Sequence, residues 1–313
     1  MAPQGAIDDT EAPAWPDQLP VRLGITTPVL TLLPGGHATW EVGAGIDEVA
    51  TVARAAEALG YYHLTCSEHV VIPADVAPAR GSRYWDPLAT FGYLAAVTSR
   101  IRLATNVVVL GYHHPLEIAK RYGTLDQVCA GRLVLGLGVG SLEEEFRLLG
   151  APFGDRGARA DDALMALRSS LSTRTPAYDG TYYRYADVVM DPCAAQSSVP
   201  LWIGGRTARS LRRAVELGDG WVPFALRAAD IGAMLEKARA TPAWAARARR
   251  LEVVLQNGRP LDPLGDPDGA RTVIGKLTDA GATGLQLGFV HHSLDHYLEQ
   301  LEALALLVPE GIR

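Results

Sequence analysis

The 313-residue chain contains only three cysteines, Cys66, Cys129 and Cys193, an odd number with no metal-ligand spacing. That arithmetic argues against a disulfide framework and against a structural zinc site. Each cysteine lies in or beside an apolar stretch, so all three read as core thiols in a reducing, cytoplasmic compartment. No run approaches the roughly 18 continuous apolar residues of a membrane span, and no membrane partner is expected. Residues 1-20 lack the basic start and apolar run of a signal peptide. Rich in Ala, Pro and acid, they read as a disordered tail before one domain over 21-313. The chain also lacks a basic face: its net charge is −6, with acids and bases interspersed. Nucleic acid is therefore not an expected partner. With 48% hydrophobic residues there is ample material for a large core.

From Val21 onward, short β-type runs alternate with helical patterns, as in a parallel sheet wrapped by helices. The runs are 21-26, 61-66, 101-110, 132-138, 200-204, 220-224, 251-255 and 284-289. Between them, Val49, Val52, Ala53, Ala56 and Leu59 recur at helical spacing, and Gly60 is the expected stop. Asp86 followed by Pro87 reads as a helix entry for 86-100. Further helices are expected at 115-128, 158-171, 208-218 and 293-307. Eight such units predict a (β/α)8 barrel, with an open doubly wound sheet as the rival. The spacing breaks at 172-199, where YDGTYYRYADVVMDP alternates like a hairpin. This excursion is read as an insertion after the fourth unit, extending over the catalytic mouth.

Two glycine-rich turns follow strand-like runs. Gly138, Val139, Gly140 and Ser141 lead into a helix start, where bare backbone amides favour an anion or a ring carbonyl. Gly204, Gly205, Arg206 and Thr207 precede a helix carrying Ser210, so amides, a guanidinium and hydroxyls meet at one place. The second turn is the better phosphate site. The alternative for the first is a tight turn without a ligand.

Four segments carry a resemblance: SEHV (67-70), the long stretch 103-146 with its HP…TLD…GRL.LG.G.G pattern, FGDRGARADDAL (153-164) and PLWIGGRTARSLRRAVELGDGW (200-221). Together they resemble the luciferase-like monooxygenase family, and most closely its branch of oxidoreductases that use the deazaflavin coenzyme F420. The likeness spans nearly the whole barrel, and each segment falls at the C-terminal end of a strand, where barrel chemistry sits.

The resemblance implies that His69 lies beside the reactive ring of the cofactor, where an imidazole can take or give a proton. The alternative is a hydrogen-bonded loop histidine. Glu68, where many family members carry Asp, is expected to orient that imidazole or contact the cofactor. The family often holds a non-prolyl cis peptide at the position of Asn106 and Val107, pressed against the ring, and Thr105 is expected in the same layer. Arg159 is implied as a second phosphate ligand, against an ion pair with Asp155, Asp161 or Asp162. Tyr84, Trp85 and His113, with His114, are candidates for the substrate pocket. His291 and His292 stand at the active end without the further ligands of a metal site.

These expectations describe hydride transfer between coenzyme F420 and a small organic substrate. The second reading is an FMN-dependent monooxygenase that uses reduced flavin and oxygen. The third is a barrel that binds a cofactor without catalysis. A small-molecule substrate and a homodimeric assembly complete the expectation.

Overall fold

The computed structural model describes residues 21–308, so the expected tail at 1-20 lies outside the described residues. The chain runs β1 (Arg22–Ile25), α1 (Thr39–Gly43), α2 (Ile46–Ala58), β2 (His63–Cys66), α3 (Ala77–Arg80), α4 (Pro87–Val97), β3 (Arg102–Thr105), β4 (Val108–Val109), α5 (Pro115–Val128) and β5 (Leu133–Gly138). It continues through α6 (Glu143–Leu148), α7 (Arg156–Ser170), β6 (Tyr178–Asp179), β7 (Arg184–Tyr185), β8 (Leu201–Gly204), α8 (Ala208–Leu217), β9 (Gly220–Val222), α9 (Ala228–Arg239), α10 (Pro242–Ala245), β10 (Glu252–Gln256), α11 (Pro267–Asp279), β11 (Gly284–Leu287) and α12 (Leu294–Leu307).

The strands pair in parallel in the order β3-β2-β1-β11-β10-β9-β8-β5, and β3 pairs back onto β5, which closes an eight-strand barrel. All eight strand runs read from the sequence are present. The run at 101-110 is broken, however: β3 stops at Thr105, the Asn106–Val107 peptide is cis, and β4 resumes beside β5 with Val108 opposite Leu137. Helix entries follow the local chemistry. Asp86 accepts a hydrogen bond from the Ala89 amide at 2.8 Å with Pro87 at the first helical position, and Ser293 accepts from His296.

Two packing layers hold the barrel. Apolar residues facing outward from the strands, such as Leu103, Leu133, Leu135 and Leu201, are fully buried under the helices. Ala104, Val134, Trp202, Val222 and Val254, one from each of five strands, form a separate cluster. Alternation along each strand places that cluster inside the barrel.

The excursion is a correction. It connects the C-terminus of α7 to the start of β8, so it leaves from the N-terminal end of the strands. Its hairpin (β6–β7) climbs the outer flank of α7, where Asp162 accepts hydrogen bonds from the Tyr178 hydroxyl and the Tyr182 and Tyr183 amides. None of residues 172-199 lines the cavity at the catalytic end.

Candidate active site

A cavity of about 1130 Å³ opens at the C-terminal ends of the strands, walled by the segments after β2, β3, β5, β8 and β9 and by Gln256 of β10. Pockets for one small molecule commonly span roughly 300–1,000 Å³, so this volume suits a cofactor together with a substrate.

His69 stands on this wall, in the loop after β2. Its Nδ1 lies 2.6 Å from Glu145 Oε2, and its ring meets that of Tyr84 edge-on with centroids 4.5 Å apart. Glu145 belongs to α6 and is fully buried. It accepts four hydrogen bonds: His69 Nδ1 and the Tyr112 hydroxyl (2.6 Å) on Oε2, and the amides of Val70 (2.7 Å) and Val71 (3.1 Å) on Oε1. Burial alone would raise the Glu145 pKa, but these hydrogen bonds and the His69 imidazole outweigh it and hold the carboxyl below its ordinary range. Tyr112 is pushed up, by burial and by the adjacent carboxylate, so its hydroxyl keeps its proton. An acceptor-only carboxylate at Nδ1 requires a proton there. In the neutral ring Nε2 is then the basic nitrogen.

Asn106 and Val107 line the cavity from the cis peptide. The Ser67 hydroxyl donates to Asn106 O at 2.7 Å, and the Glu68 amide reaches Val107 O at 3.3 Å. Val107 wedges between two strand ends that carry no side chain. A Cβ on Gly138 would stand 2.6 Å from Val107 Cγ2, and one on Gly204 2.8 Å from Val107 Cγ1. Those two glycines are needed for this close approach.

At the far end, Gly204, Gly205, Arg206 and Thr207 lead into α8, with Gly138, Val139, Gly140 and Ser141 on the adjoining wall. The Thr207 hydroxyl caps the Ser210 amide. Arg206 is exposed, its guanidinium 5.7 Å from the Phe224 ring, and no acid pairs with it among the described residues. First-turn amides, small residues and an unpaired guanidinium form a donor set that fits a phosphate.

Several expected contacts are placed elsewhere. Glu68 borders the cavity, but its carboxylate accepts from the Val109 amide (2.7 Å) and His113 Nε2 (2.8 Å). It pins the β4 segment, while Glu145 orients His69. His113 itself lies outside the cavity wall: burial opposes its charged form, yet the hydrogen bond and charge of Glu68 raise its pKa. Thr105 is buried and donates to Gly136 O at 2.7 Å within the barrel. Trp85 packs on the core, whereas Tyr84 lines the cavity. Arg159 turns away to Asp155 (2.8 Å) and the Tyr182 ring, and Arg156, one turn earlier, borders the cavity in its place. Ser210 lines the wall, but its hydroxyl is engaged by Thr207 and by Trp221 Nε1. His114 caps α5, and His291 accepts from Trp40 Nε1. Three residues not singled out in the sequence also stand here: Tyr112 and Arg156 line the cavity, and Glu145 lies behind His69 and Tyr112.

A sequence model described as "Luciferase-like monooxygenase" matches residues 27–258. The chain is 28% identical over 269 residues to the uncharacterized protein Rv0953c of Mycobacterium tuberculosis, covering 82% of this chain and 92% of that one. Among solved structures it resembles the monooxygenase RslO1 from Streptomyces bottropensis, with TM-score 0.76, 20% identity, and 92% of this chain and 98% of that chain covered. It also resembles an F420-dependent secondary alcohol dehydrogenase in complex with an F420-acetone adduct, with TM-score 0.72, 14% identity, and 94% and 100% covered. No helix among the described residues is long and apolar enough to cross a membrane.

Proposed function

The chain belongs to the luciferase-like monooxygenase family, and from that premise we propose that it is a coenzyme F420-dependent oxidoreductase acting on a small organic substrate. One observation carries the reading: the His69–Glu145 pair, with Nδ1 held by a buried carboxylate, sits on the wall of a cavity whose other end offers a phosphate cradle. When bound, the deazaflavin supplies a site that accepts or gives a hydride, while the protein supplies orientation and the proton.

In this reading Gly204 to Thr207 hold the phosphate, and Val107, lodged against Gly138 and Gly204, supports the ring. His69 Nε2 accepts the hydroxyl proton of an alcohol as its carbon loses hydride, or returns that proton in the opposite direction. Either role needs the ring fixed, which the Glu145 and Tyr84 contacts provide. The FMN monooxygenase is the alternative, and oxygen distinguishes the two. A deazaflavin has carbon where flavin has the nitrogen next to the hydride position and does not form the oxygen adduct. Fluorescence titration with oxidised F420 and FMN, followed by turnover with oxygen monitored, is the direct test. Tight F420 binding and hydride transfer without oxygen uptake are expected. FMN binding with oxygen uptake would reverse the assignment.

Arg206→Ala should weaken cofactor binding by about 1 to 3 kcal/mol, the usual effect of losing a charged hydrogen-bonding partner. Unchanged affinity for both cofactors would move the phosphate to another part of the cavity.

A further inference from the structure

His291 and His292 stand at the catalytic end of the barrel, after β11, yet neither lines the cavity. His291 is held instead against the segment after β1. Its Nδ1 accepts a hydrogen bond from Trp40 Nε1 at 2.9 Å, and its Nε2 lies 3.5 Å from Glu41 Oε1, both partners belonging to α1. The indole N–H can only donate, so Nδ1 carries the lone pair, and the single proton of the neutral ring sits on Nε2, toward the carboxylate. A second proton can enter only at Nδ1, where it meets the Trp40 N–H.

Glu41 carries this contact onward. Its buried carboxylate accepts from the Ala38 amide (2.8 Å) on Oε1 and from the Val29 amide (2.7 Å) on Oε2. Val29 has φ 73°, a left-handed conformation that β-branched residues rarely adopt, and the bond to Glu41 holds its amide there. The residues that follow pair with the stretch around Tyr84: the Trp85 amide donates to Leu30 O at 3.0 Å, the Leu32 amide to Arg83 O at 3.3 Å, and Thr31 bridges Tyr84. Arg83 returns to α1, donating to the carbonyls of Glu41 and Val42. Tyr84 ends the chain of contacts on the ring of His69.

We propose that His291, as the neutral ring, is a positioning residue for His69, acting through α1 and the strap 29–32 that fixes Tyr84. The role presupposes His69 as the base of the proposed reaction. The groups facing His291 set the sign of its pH dependence. Burial opposes the charged ring, Glu41 favours it, and His296 and His292 at the start of α12 oppose it, which leaves the His291 pKa below its ordinary value. Tyr297, edge-on at 5.0 Å, is pushed well above the phenol range by burial and stays neutral. The unfolded chain therefore takes up the proton first, so the contact with α1 contributes fully above about pH 6.5 and is lost as the pH falls below it.

The test needs no cofactor, so it is independent of the choice between F420 and FMN. Amide hydrogen exchange of Val29, Leu32 and Trp85, corrected for the intrinsic rate, is measured at about pH 7.5 and about pH 5.5 in the full-length wild type, His291→Gln and His291→Leu. Gln can accept from Trp40 and donate to Glu41 without titrating, and Leu can do neither. Protection in the wild type should fall about fivefold at the lower pH, as for one lost hydrogen bond. His291→Gln should keep the protection of the neutral wild type at both, and His291→Leu should lack it at both. At the higher pH, the ring-proton NMR signals of His69 should move in His291→Leu, as Tyr84 leaves its edge, and return in His291→Gln. Wild-type protection in His291→Leu, or a pH-dependent loss that persists in His291→Gln, would overturn the role of His291. Lost protection with unmoved His69 signals would overturn its link to the catalytic ring. If His291→Leu does not fold, the pH response of the wild type against His291→Gln decides. Whether His69 is the base is decided separately, by His69→Ala.

Discussion

His69→Ala is expected to lower single-turnover hydride transfer by about 10² to 10⁴-fold, the span of general acid-base catalysis, while cofactor affinity stays within about tenfold of wild type. The separation follows from the layout of the cavity. His69 stands after β2 and the Gly204–Thr207 turn after β8, so the proposed reading assigns the proton to one wall and the cofactor phosphate to the other. Removing the imidazole leaves Glu145 with its bonds from Tyr112, Val70 and Val71, so the loop after β2 retains most of its anchoring. The variant should therefore fold, and its pH profile should lose the limb that reports the base. A histidine that only packed against Tyr84 would behave differently: stability and cofactor affinity would fall together while turnover at saturating cofactor stayed near wild type. Affinity, melting temperature and single-turnover rate on one preparation distinguish the two. Wild-type hydride transfer in folded His69→Ala would remove the role.

The barrel was legible because each buried strand is a short β-branched or leucine-rich run closed by a polar or glycine stop, and each helix carries one apolar stripe. Periodicity reports that a strand exists but not what interrupts it, so 101-110 read as continuous although Asn106–Val107 divides it. The excursion at 172-199 was legible as a break in spacing. Which end of the barrel it occupies depends on whether it follows a strand or a helix. It follows α7, and that places it away from the cavity.

The site was half legible for a similar reason. Backbone features declare themselves, as glycine turns at Gly138 and Gly204 do, because a missing side chain is visible in the sequence. Side-chain direction does not. Arg156 and Arg159, three residues apart, share a face of α7, yet their side chains diverge: Arg156 borders the cavity and donates to Gly140 O and Phe153 O, while Arg159 pairs with Asp155. Glu145 sits in a run of three glutamates that resembles a solvated helix start. Its signal was available, however. Leu142 and Phe146 mark the buried face of that turn, and an acid three residues after Leu142 falls on the same face. A carboxylate there has to be hydrogen-bonded, and its partners are the groups that define the site.

Glu145→Gln should be nearly as damaging to proton transfer as the loss of His69 itself, although it changes no shape. Oε1 of the carboxylate accepts the Val70 and Val71 amides, and Gln can keep both with its carbonyl oxygen. Oε2 accepts from His69 Nδ1 and from the Tyr112 hydroxyl. In Gln that position becomes an NH2 group, which can only donate. Nδ1 must then accept, so the imidazole proton moves to Nε2, which loses the lone pair that the proposed reading needs to take a proton from substrate. In the proposed reading Glu145 is a positioning residue acting through His69, and the analogous exchange of carboxylate for amide behind a catalytic histidine costs on the order of 10⁴ in kcat through the wrong tautomer. A loss of about 10² to 10⁴-fold in substrate dehydrogenation is expected here. Cofactor affinity should change little, and the melting temperature should fall only by what one rearranged hydrogen bond implies, about 1 kcal/mol of stability. The readout that a purely structural role would not move is the imidazole itself: nitrogen NMR of His69 should report the proton on Nδ1 in the wild type and on Nε2 in the variant. Full dehydrogenation by Glu145→Gln with the tautomer reversed would exclude Nε2 as the base. An unchanged tautomer with lost activity would show that Glu145 acts on the reaction by a route other than His69.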